Sequence, residues 1–313
     1  MESPGRWRIW LLELLAPLVR RLPRGERFIY WSICGEWGLP TTHWPFRRIR
    51  VQRAWRHGYL VVLDMSHELQ RRAFYTGRYY ERDVPALLWQ IVRADDIVID
   101  IGANVGHISL LCARRVGSAG RVISYEPNPA VRAQLSASRL LNEIWHMEVR
   151  EDALSDEDGA GNLAVNHQEP GQSTLRQMHS TAATPVTIRK SQVIAADLQG
   201  DRPTLIKIDV EGYEMHVVRG LGPVLDNRNL SLLVEVTDEW LRQLGTSWDE
   251  LRSLMSERGY VPFEIIEKRT PSQPNGVQLK RMSNQSARPE QFNALFCRPN
   301  GIWHTRVQAL IEE

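Results

Sequence analysis

From residue 96 onward the hydrophobic positions switch repeatedly between two spacings. Ile97, Val98, Ile99 and Ile101 form a short run that is apolar on both faces. Such a run predicts a central strand of a parallel sheet. It breaks at Gly102, and Gly106 opens a helical pattern through Ile108, Leu110, Leu111 and Cys112 that ends at Gly117 and Gly120. Arg121 to Tyr125 predicts the next strand, which stops at Glu126. Asn128 and Pro129 then cap and start a helix, with Leu135, Leu140 and Leu141 on its buried face. A third strand is predicted near His146 to Arg150. Leu205, Ile206 and Ile208 predict a fourth, and Gly212 opens a helix through Met215, Val217, Val218 and Leu221. Ser231 to Val236 reads as a strand. Ser247-Trp248-Asp249-Glu250 reads as a capping box for a helix that stops at Gly259. Tyr260 to Ile266 and Asn293 to Cys297 close the pattern as a strand pair. This alternation is that of an α/β sheet with helices on both faces.

The flanks are less regular. Val84, Leu87, Leu88, Ile91 and Val92 predict an amphipathic helix with Asp83 as its cap, preceded by Arg78, Tyr79, Tyr80 and Glu81. Tyr59 to Asp64 predicts a strand, whereas Trp31 to Arg56 has no period and no assignable role. Between Asn162 and Lys190 the chain is polar and strand-like in pieces around Gln172, Ser173, Thr174 and Leu175. An insertion of this kind is expected to shape a substrate pocket. Lys268 to Pro289 is Pro/Ser/Asn-rich and is expected to be a mobile loop or lid. Ile302 to Glu313 reads as a helical tail. The resulting division is an N-terminal helical or irregular extension (1–82), a main domain (83–300) and the tail (301–313).

Near the N-terminus, Ile9 to Val19 is apolar but falls well short of the roughly 20 residues a membrane span needs. Trp7, Trp10, Leu11, Leu14, Leu15 and Leu18 share a helical face, flanked by Arg6, Arg8, Arg20, Arg21, Arg24 and Arg27. One reading is an interfacial helix giving peripheral contact with an anionic membrane through residues 7–27. The other, taken as the default, is a helix docked on the protein's own body or on a second subunit. Glu13 inside the run argues against a signal peptide.

Composition narrows the picture. At 313 residues the chain can bury a sizeable core, and a net charge of +2 makes no electrostatic case for nucleic acid. Three widely spaced cysteines form neither a metal-type spacing nor a disulfide framework, so a reducing, cytoplasmic location is the simpler expectation.

The chemistry gathers at strand ends. Asp100-Ile101-Gly102-Ala103-Asn104-Val105-Gly106 is a strand–turn–helix loop at the carboxyl edge of the sheet. It lacks the middle glycine of the dinucleotide fingerprint. Its acidic strand end suits a cationic ligand, and S-adenosylmethionine carries a sulfonium, an ammonium and a ribose. Gly102 would let ligand and backbone approach closely. Glu126, about one βα unit later, is placed to accept from ribose hydroxyls. Asp152 and Ala153 would flank an adenine. Lys207, Asp209 and Glu211 alternate at the end of a buried strand, where charges are costly unless paired or functional. His107 and His216 are weaker candidates for a base. A divalent metal bridging Asp209, Glu211 and Glu235 is conceivable from oxygen-ligand preference, but the spacing does not demand one, and no metal site is assigned.

Taken together, Asp-Ile-Gly-Ala-Asn-Val-Gly at 100–106, Glu126-Pro127-Asn128, Ala153-Leu154-Ser155-Asp156, Lys207-Ile208-Asp209-Val210-Glu211-Gly212 and Leu233-Val234-Glu235-Val236 resemble the FkbM family of class I S-adenosylmethionine-dependent methyltransferases. The resemblance runs from about Tyr80 to Pro299. It implies a Rossmann-like, seven-stranded, mostly parallel sheet with one antiparallel strand. It also implies S-adenosyl-L-methionine as cofactor and O-methylation of a hydroxyl on a sugar, glycolipid or polyketide-type acceptor. His107 departs from the aromatic common at its position. On this reading Asp100, Gly102, Ala103, Asn104, Gly106, Glu126, Asp152 and Ala153 hold the cofactor, while Asp209, Glu211 and Lys207 serve the acceptor side. Two other classes stay open: a nicotinamide-dependent oxidoreductase, and a non-catalytic scaffold that binds a membrane or partner through the N-terminal segment.

Overall fold

The computed structural model describes residues 6–22, 26–34, 48–54, 57–77, 82–164, 173–175, 183–268, 276–282 and 290–312. Arg24, residues 35–47 and 55–56 of the unassigned N-terminal segment, residues 78–81, Gln172 and most of the expected 268–289 lid lie outside the described residues.

In chain order the elements begin with helices α1 (Arg6–Val19) and α2 (Glu26–Cys34), strands β1 (Ile49–Arg53) and β2 (Leu60–Asp64), and helices α3 (Glu68–Thr76) and α4 (Asp83–Ile91). The alternating centre follows: β3 (Ile97–Ile101), α5 (His107–Val116), β4 (Arg121–Tyr125), α6 (Pro129–Leu141) and β5 (Met147–Arg150). Three short strands, β6 (Ala153–Ser155), β7 (Gly159–Ala164) and β8 (Ala183–Lys190), precede β9 (Thr204–Ile208) and α7 (Glu214–Leu221). The chain closes with β10 (Leu230–Thr237), α8 (Asp238–Gln243), α9 (Trp248–Glu257), β11 (Val261–Glu267), β12 (Val277–Arg281), β13 (Gln291–Cys297) and α10 (Ile302–Val307).

The main sheet has eight strands in the order β12-β11-β13-β10-β9-β3-β4-β5. The five from β10 to β5 run parallel, and β13 enters antiparallel between β10 and β11. Seven of these strands give the expected class I methyltransferase arrangement. The eighth, β12, pairs antiparallel with β11 at the edge. It comes from the segment read as a long loop, where Val277 and Leu279 are buried in alternation. A five-residue strand among Pro, Ser and Asn was too short for its period to stand out.

Every residue of β3 and β9 is buried, as central parallel strands require. The two faces of the sheet serve different cores. Ile97, Ile99, Ile101, Ile206 and Ile208 face one side, against Met215, Val218 and Leu251 from α7 and α9. Val98, Val122, Leu205 and Leu233 face the other, with α4 and α5. That second core runs on without a break into Leu12, Tyr30, Val61 and Phe74 of the first 76 residues. The N-terminal segment is tied there by polar contacts as well. Asn142 accepts from the Leu60 amide at 2.7 Å and donates to the Leu60 carbonyl at 2.6 Å, and Ser138 Oγ accepts from the Val62 amide at 2.9 Å.

Local signals mostly landed. Asn128 caps α6 by accepting from the Ala130 amide at 3.1 Å, with Pro129 at the first helical position. Ser247 caps α9 by accepting from Glu250. Two expectations need correction. Asp83 begins α4 rather than capping it, Arg82 standing at the cap. Leu140 and Leu141, expected on the buried face of α6, are about half exposed, and Val131, Leu135 and Ser138 face inward instead. The side of α6 with the i, i+4, i+7 spacing of those three is covered by β2, which the leucine count ignored.

Candidate active site

The ends of β3, β4 and β9 open into a crevice with about 530 Å³ of empty space. Its wall includes Gly102, Glu126, Asp152, Ala153, Asp209 and Tyr213. The 173–175 segment and Leu163 of β7 complete it, so the insertion forms a wall. Thr174 is held there by a backbone bridge to Ala164, and its hydroxyl donates to the Glu211 carbonyl at 2.9 Å.

The loop after β3 is pinned to the neighbouring strand. The amides of Gly102 and Ala103 both donate to the Tyr125 carbonyl at 3.0 Å, and the Asn104 amide donates to Glu126 Oε2 at 2.8 Å. Gly102 and Gly106 sit at φ +79° and +91°. A Cβ on Gly102 would fall on the Asp209 carbonyl, and one on Gly106 on the Leu135 side chain. Both glycines therefore let the protein pack against itself. Asn104 (φ +52°) is also left-handed, and its side chain accepts from the Val105 amide at 2.7 Å.

Glu126 is buried, with 7% of its surface exposed. Oε2 accepts from Asn104 and Oε1 from the Asn128 amide, each at 2.8 Å. Burial pushes its carboxyl up to about 7, against the lowering pull of those two amides and of Arg132.

At the other end, Lys207 Nζ donates to Asp209 Oδ2 at 2.6 Å, an ion pair whose lysine is 3% exposed and whose aspartate is 14% exposed. Lys207 also stands opposite Asp100 across the β3–β9 ladder. Asp100 is fully buried and accepts from Ser109 Oγ at 2.5 Å, and Ser109 in turn accepts from Ser124 Oγ at 2.8 Å. Burial raises the Asp100 carboxyl, and the Lys207 charge opposes that rise.

The residues expected at the site thus divide. Gly102, Glu126, Asp152, Ala153 and Asp209 meet at the crevice. Asp100, Ala103, Asn104, Gly106, Lys207 and Glu211 are not among the residues that line it. His107 is buried against the Tyr59 hydroxyl, 3.1 Å from Nδ1, and burial lowers it to about 4. His216 Nδ1 lies 3.2 Å from the Asp156 carboxylate. Glu235 accepts from Gln291. No group of three or more His, Cys, Asp or Glu among the described residues is arranged to hold a metal ion. Cys34, Cys112 and Cys297 are free and buried.

Sequence reading missed Glu214. It is 2% exposed, and Oε1 accepts from the amides of Val210 (3.2 Å) and Gly212 (3.0 Å). Burial pushes it up to about 7. An acid in the first turn of a helix is too common a pattern to mark it. Tyr213 was also missed, whereas Ser173, Thr174 and Leu175, named as the middle of an insertion expected to shape a pocket, do line the wall.

Residues 100–262, more than half of the chain, match the Methyltransferase FkbM domain. The chain belongs to the FkbM methyltransferase family. It is 26% identical over 187 residues to Methyltransferase 1 of Beauveria bassiana, covering 53% of this chain and 73% of that protein. It is 25% identical over 160 residues to Hexuronic acid methyltransferase AglP of Haloferax volcanii, covering 50% of this chain and 62% of that one. Among solved structures it is similar to M. jannaschii TYW2 in complex with AdoMet, at TM-score 0.40 and 10% identity over 82% of this chain and 89% of that one. This FkbM-family protein is a methyltransferase, and its cofactor is S-adenosyl-L-methionine. No helix among the described residues is long and apolar enough to cross a membrane.

Proposed function

We propose that this FkbM-family chain transfers a methyl group to a hydroxyl on a sugar, glycolipid or polyketide-type acceptor, with carboxylate assistance from Asp209. The observation that carries the reading is the meeting, in one crevice, of a carboxyl suited to a diol and a carboxylate suited to a hydroxyl. The relative named for hexuronic acid methylation supports a sugar-type acceptor.

The residues suit the cofactor. An ionised carboxylate has about four acceptor positions, and Glu126 uses one on each oxygen for a backbone amide. That leaves one on each for a pair of ribose hydroxyls. Asp152 and Ala153 lie beside Leu154, Leu163 and Leu175, an apolar slot with an acceptor at its edge, which suits an aminopurine.

Bound there, S-adenosyl-L-methionine supplies an electrophilic methyl on a sulfonium centre. Asp209 would orient the acceptor hydroxyl. It would also take the hydroxyl proton, leaving the acceptor oxygen able to receive the methyl that the cofactor would supply. Lys207 positions Asp209 through Oδ2, and Glu211 positions Thr174 on the wall; neither touches the reacting atoms. Asp100, Ala103, Asn104 and Gly106 shape the loop that presents Glu126.

Isothermal titration with S-adenosylmethionine, with NAD as control, followed by transfer of a labelled methyl to hexuronic-acid glycans, tests this reading. Micromolar binding of the first, none of the second, and label on an acceptor oxygen are expected. Binding of neither would overturn the assignment of Glu126, Asp152 and Ala153 to the cofactor. Cofactor binding with label found only on nitrogen or carbon would remove the hydroxyl reading.

A further inference from the structure

Helix α1 carries a face that the fold leaves outside. Leu12, Ala16 and Val19 are buried against the body. Trp7 (60% exposed), Trp10 (60%), Leu14 (76%) and Leu18 (61%) run along the opposite side. Their spacing of three and four residues makes one stripe on a 14-residue helix, about 21 Å long at the usual rise. A contiguous exposed apolar stripe marks a contact surface more often than an accident of composition.

The charges around the stripe select its partner. Glu13 is the only acid in α1, and it is spoken for: it accepts from the Tyr75 hydroxyl at 2.6 Å and pairs with Arg50. The exposed side therefore carries no acidic residue. Arg8, beside the Trp7 ring, stands at one end, and exposed Arg21 stands just past the other. A second copy packed antiparallel across a two-fold axis would set Arg8 against the copy's Arg21 with no acid to balance them. An anionic surface meets both ends at once. Tryptophan beside arginine also matches the apolar–polar boundary of a bilayer.

From this we infer that α1 is a lipid-docking element, which lays Trp7, Trp10, Leu14 and Leu18 into the interface of an anionic phospholipid bilayer while Arg8 and Arg21 meet its headgroups. Docking of this kind holds whichever hydroxyl the crevice methylates. It would deliver the protein to acceptors carried at a membrane.

The test is flotation of the full chain with vesicles of phosphatidylcholine alone or with about one-third phosphatidylserine, an anionic fraction that gives an appreciable surface potential. Wild type should float with the anionic vesicles and little with the neutral ones. Leu14→Glu with Leu18→Glu should cut the partition by about thirtyfold or more, given the transfer free energy of two exposed leucines. Arg8→Gln with Arg21→Gln should cut it by about tenfold and remove most of the salt dependence. Both pairs lie outside the core, so unchanged thermal melting confirms folded protein. The inference is overturned if wild type ignores anionic vesicles, or if the leucine pair floats as well as wild type. It is overturned equally if sedimentation shows a dimer that the leucine pair splits and that binds no vesicle, which would make the stripe a subunit interface.

Discussion

The two ends of the crevice hold their carboxyl groups by different means. Among the described residues Glu126 is bonded directly only to backbone amides, and burial pushes it up to about 7. Asp209 is bonded to an ammonium, that of Lys207. Amide donors are fixed by the loop and carry only partial charge, so they orient a carboxyl without fully offsetting its desolvation. A lysine brings a whole charge, but on a flexible stem that must itself be buried and paired. The first arrangement suits a fixed ligand contact, and the second suits a group that must meet a proton arriving with the acceptor. Binding and chemistry should therefore fail separately when each end is altered.

The largest separation is expected at Asp209. Asp209→Asn keeps an acceptor for Lys207 but cannot take a proton. Turnover should fall by about 100-fold or more, the usual contribution of a positioned base. Titration should show cofactor affinity changed by less than about threefold, because the new amide oxygen still accepts a hydrogen bond from Lys207. A variant that turns over normally would show that Asp209 only braces Lys207 and that the two ends do not divide the work.

Glu126 should show the opposite pattern. Glu126→Gln replaces one acceptor oxygen by an amide nitrogen, which cannot accept from the Asn104 or Asn128 amide that holds it, so the charge and one support of the ribose contact are lost together and Kd should rise about 10- to 100-fold, as for hydrogen bonds to a charged group. In the wild-type protein the carboxyl titrates near 7, and its ionised form is the better acceptor. Affinity should therefore weaken as pH falls below about 7 and level off above it. Calorimetry from mildly acidic to mildly alkaline pH should show that dependence in wild type and a flatter profile in the glutamine variant. A parallel profile in both would place the titrating group elsewhere.

Much of this geometry could be read from the chain, for a physical reason. Central parallel strands are apolar on both faces, so a polar residue inside or just beyond one is conspicuous; Asp100, Glu126, Lys207 and Asp209 were all found that way. The glycines were found too, but their reason was not: Gly102 is required by the Asp209 carbonyl, a contact between segments more than 100 positions apart. No local pattern encodes such a contact. Glu211 drew attention by parity with Asp209, yet its left-handed backbone (φ +55°) breaks the strand alternation and keeps it off the crevice wall. The short edge strand β12 and the wall at 173–175 depend on pairing partners rather than on their own period. The N-terminal helix was legible as amphipathic, but which face looked outward was settled by Glu13 turning toward Arg50 and Tyr75.

Glu214 gives the smallest effect and a separate check on the comparison, since it is held as Glu126 is, by two amides and, among the described residues, no direct cation. If burial against neutral donors is what raises such a carboxyl, Glu214 should make stability depend on pH even without ligand. Its folded value of about 7 lies above the 4.5 of an unperturbed glutamate. The folded state therefore binds the proton more tightly, and the contribution to stability is complete below about 4.5 and lost as pH rises through 7. The shift corresponds to at most about 3 kcal/mol, and the measured share should be nearer 1 kcal/mol after local relaxation. His107, lowered to about 4, has the opposite sign: its contribution is complete above 6.5 and lost as pH falls through 4. The two overlap, so the total slope of wild type does not isolate either. The difference between wild type and Glu214→Gln does, because His107 is common to both. Urea unfolding at pH 5 and pH 8 should show the variant gaining about 1 kcal/mol on wild type between the two. No gain would mean that two amides suffice to hold a buried carboxylate ionised, and the contrast between Glu126 and Asp209 would then rest on geometry alone.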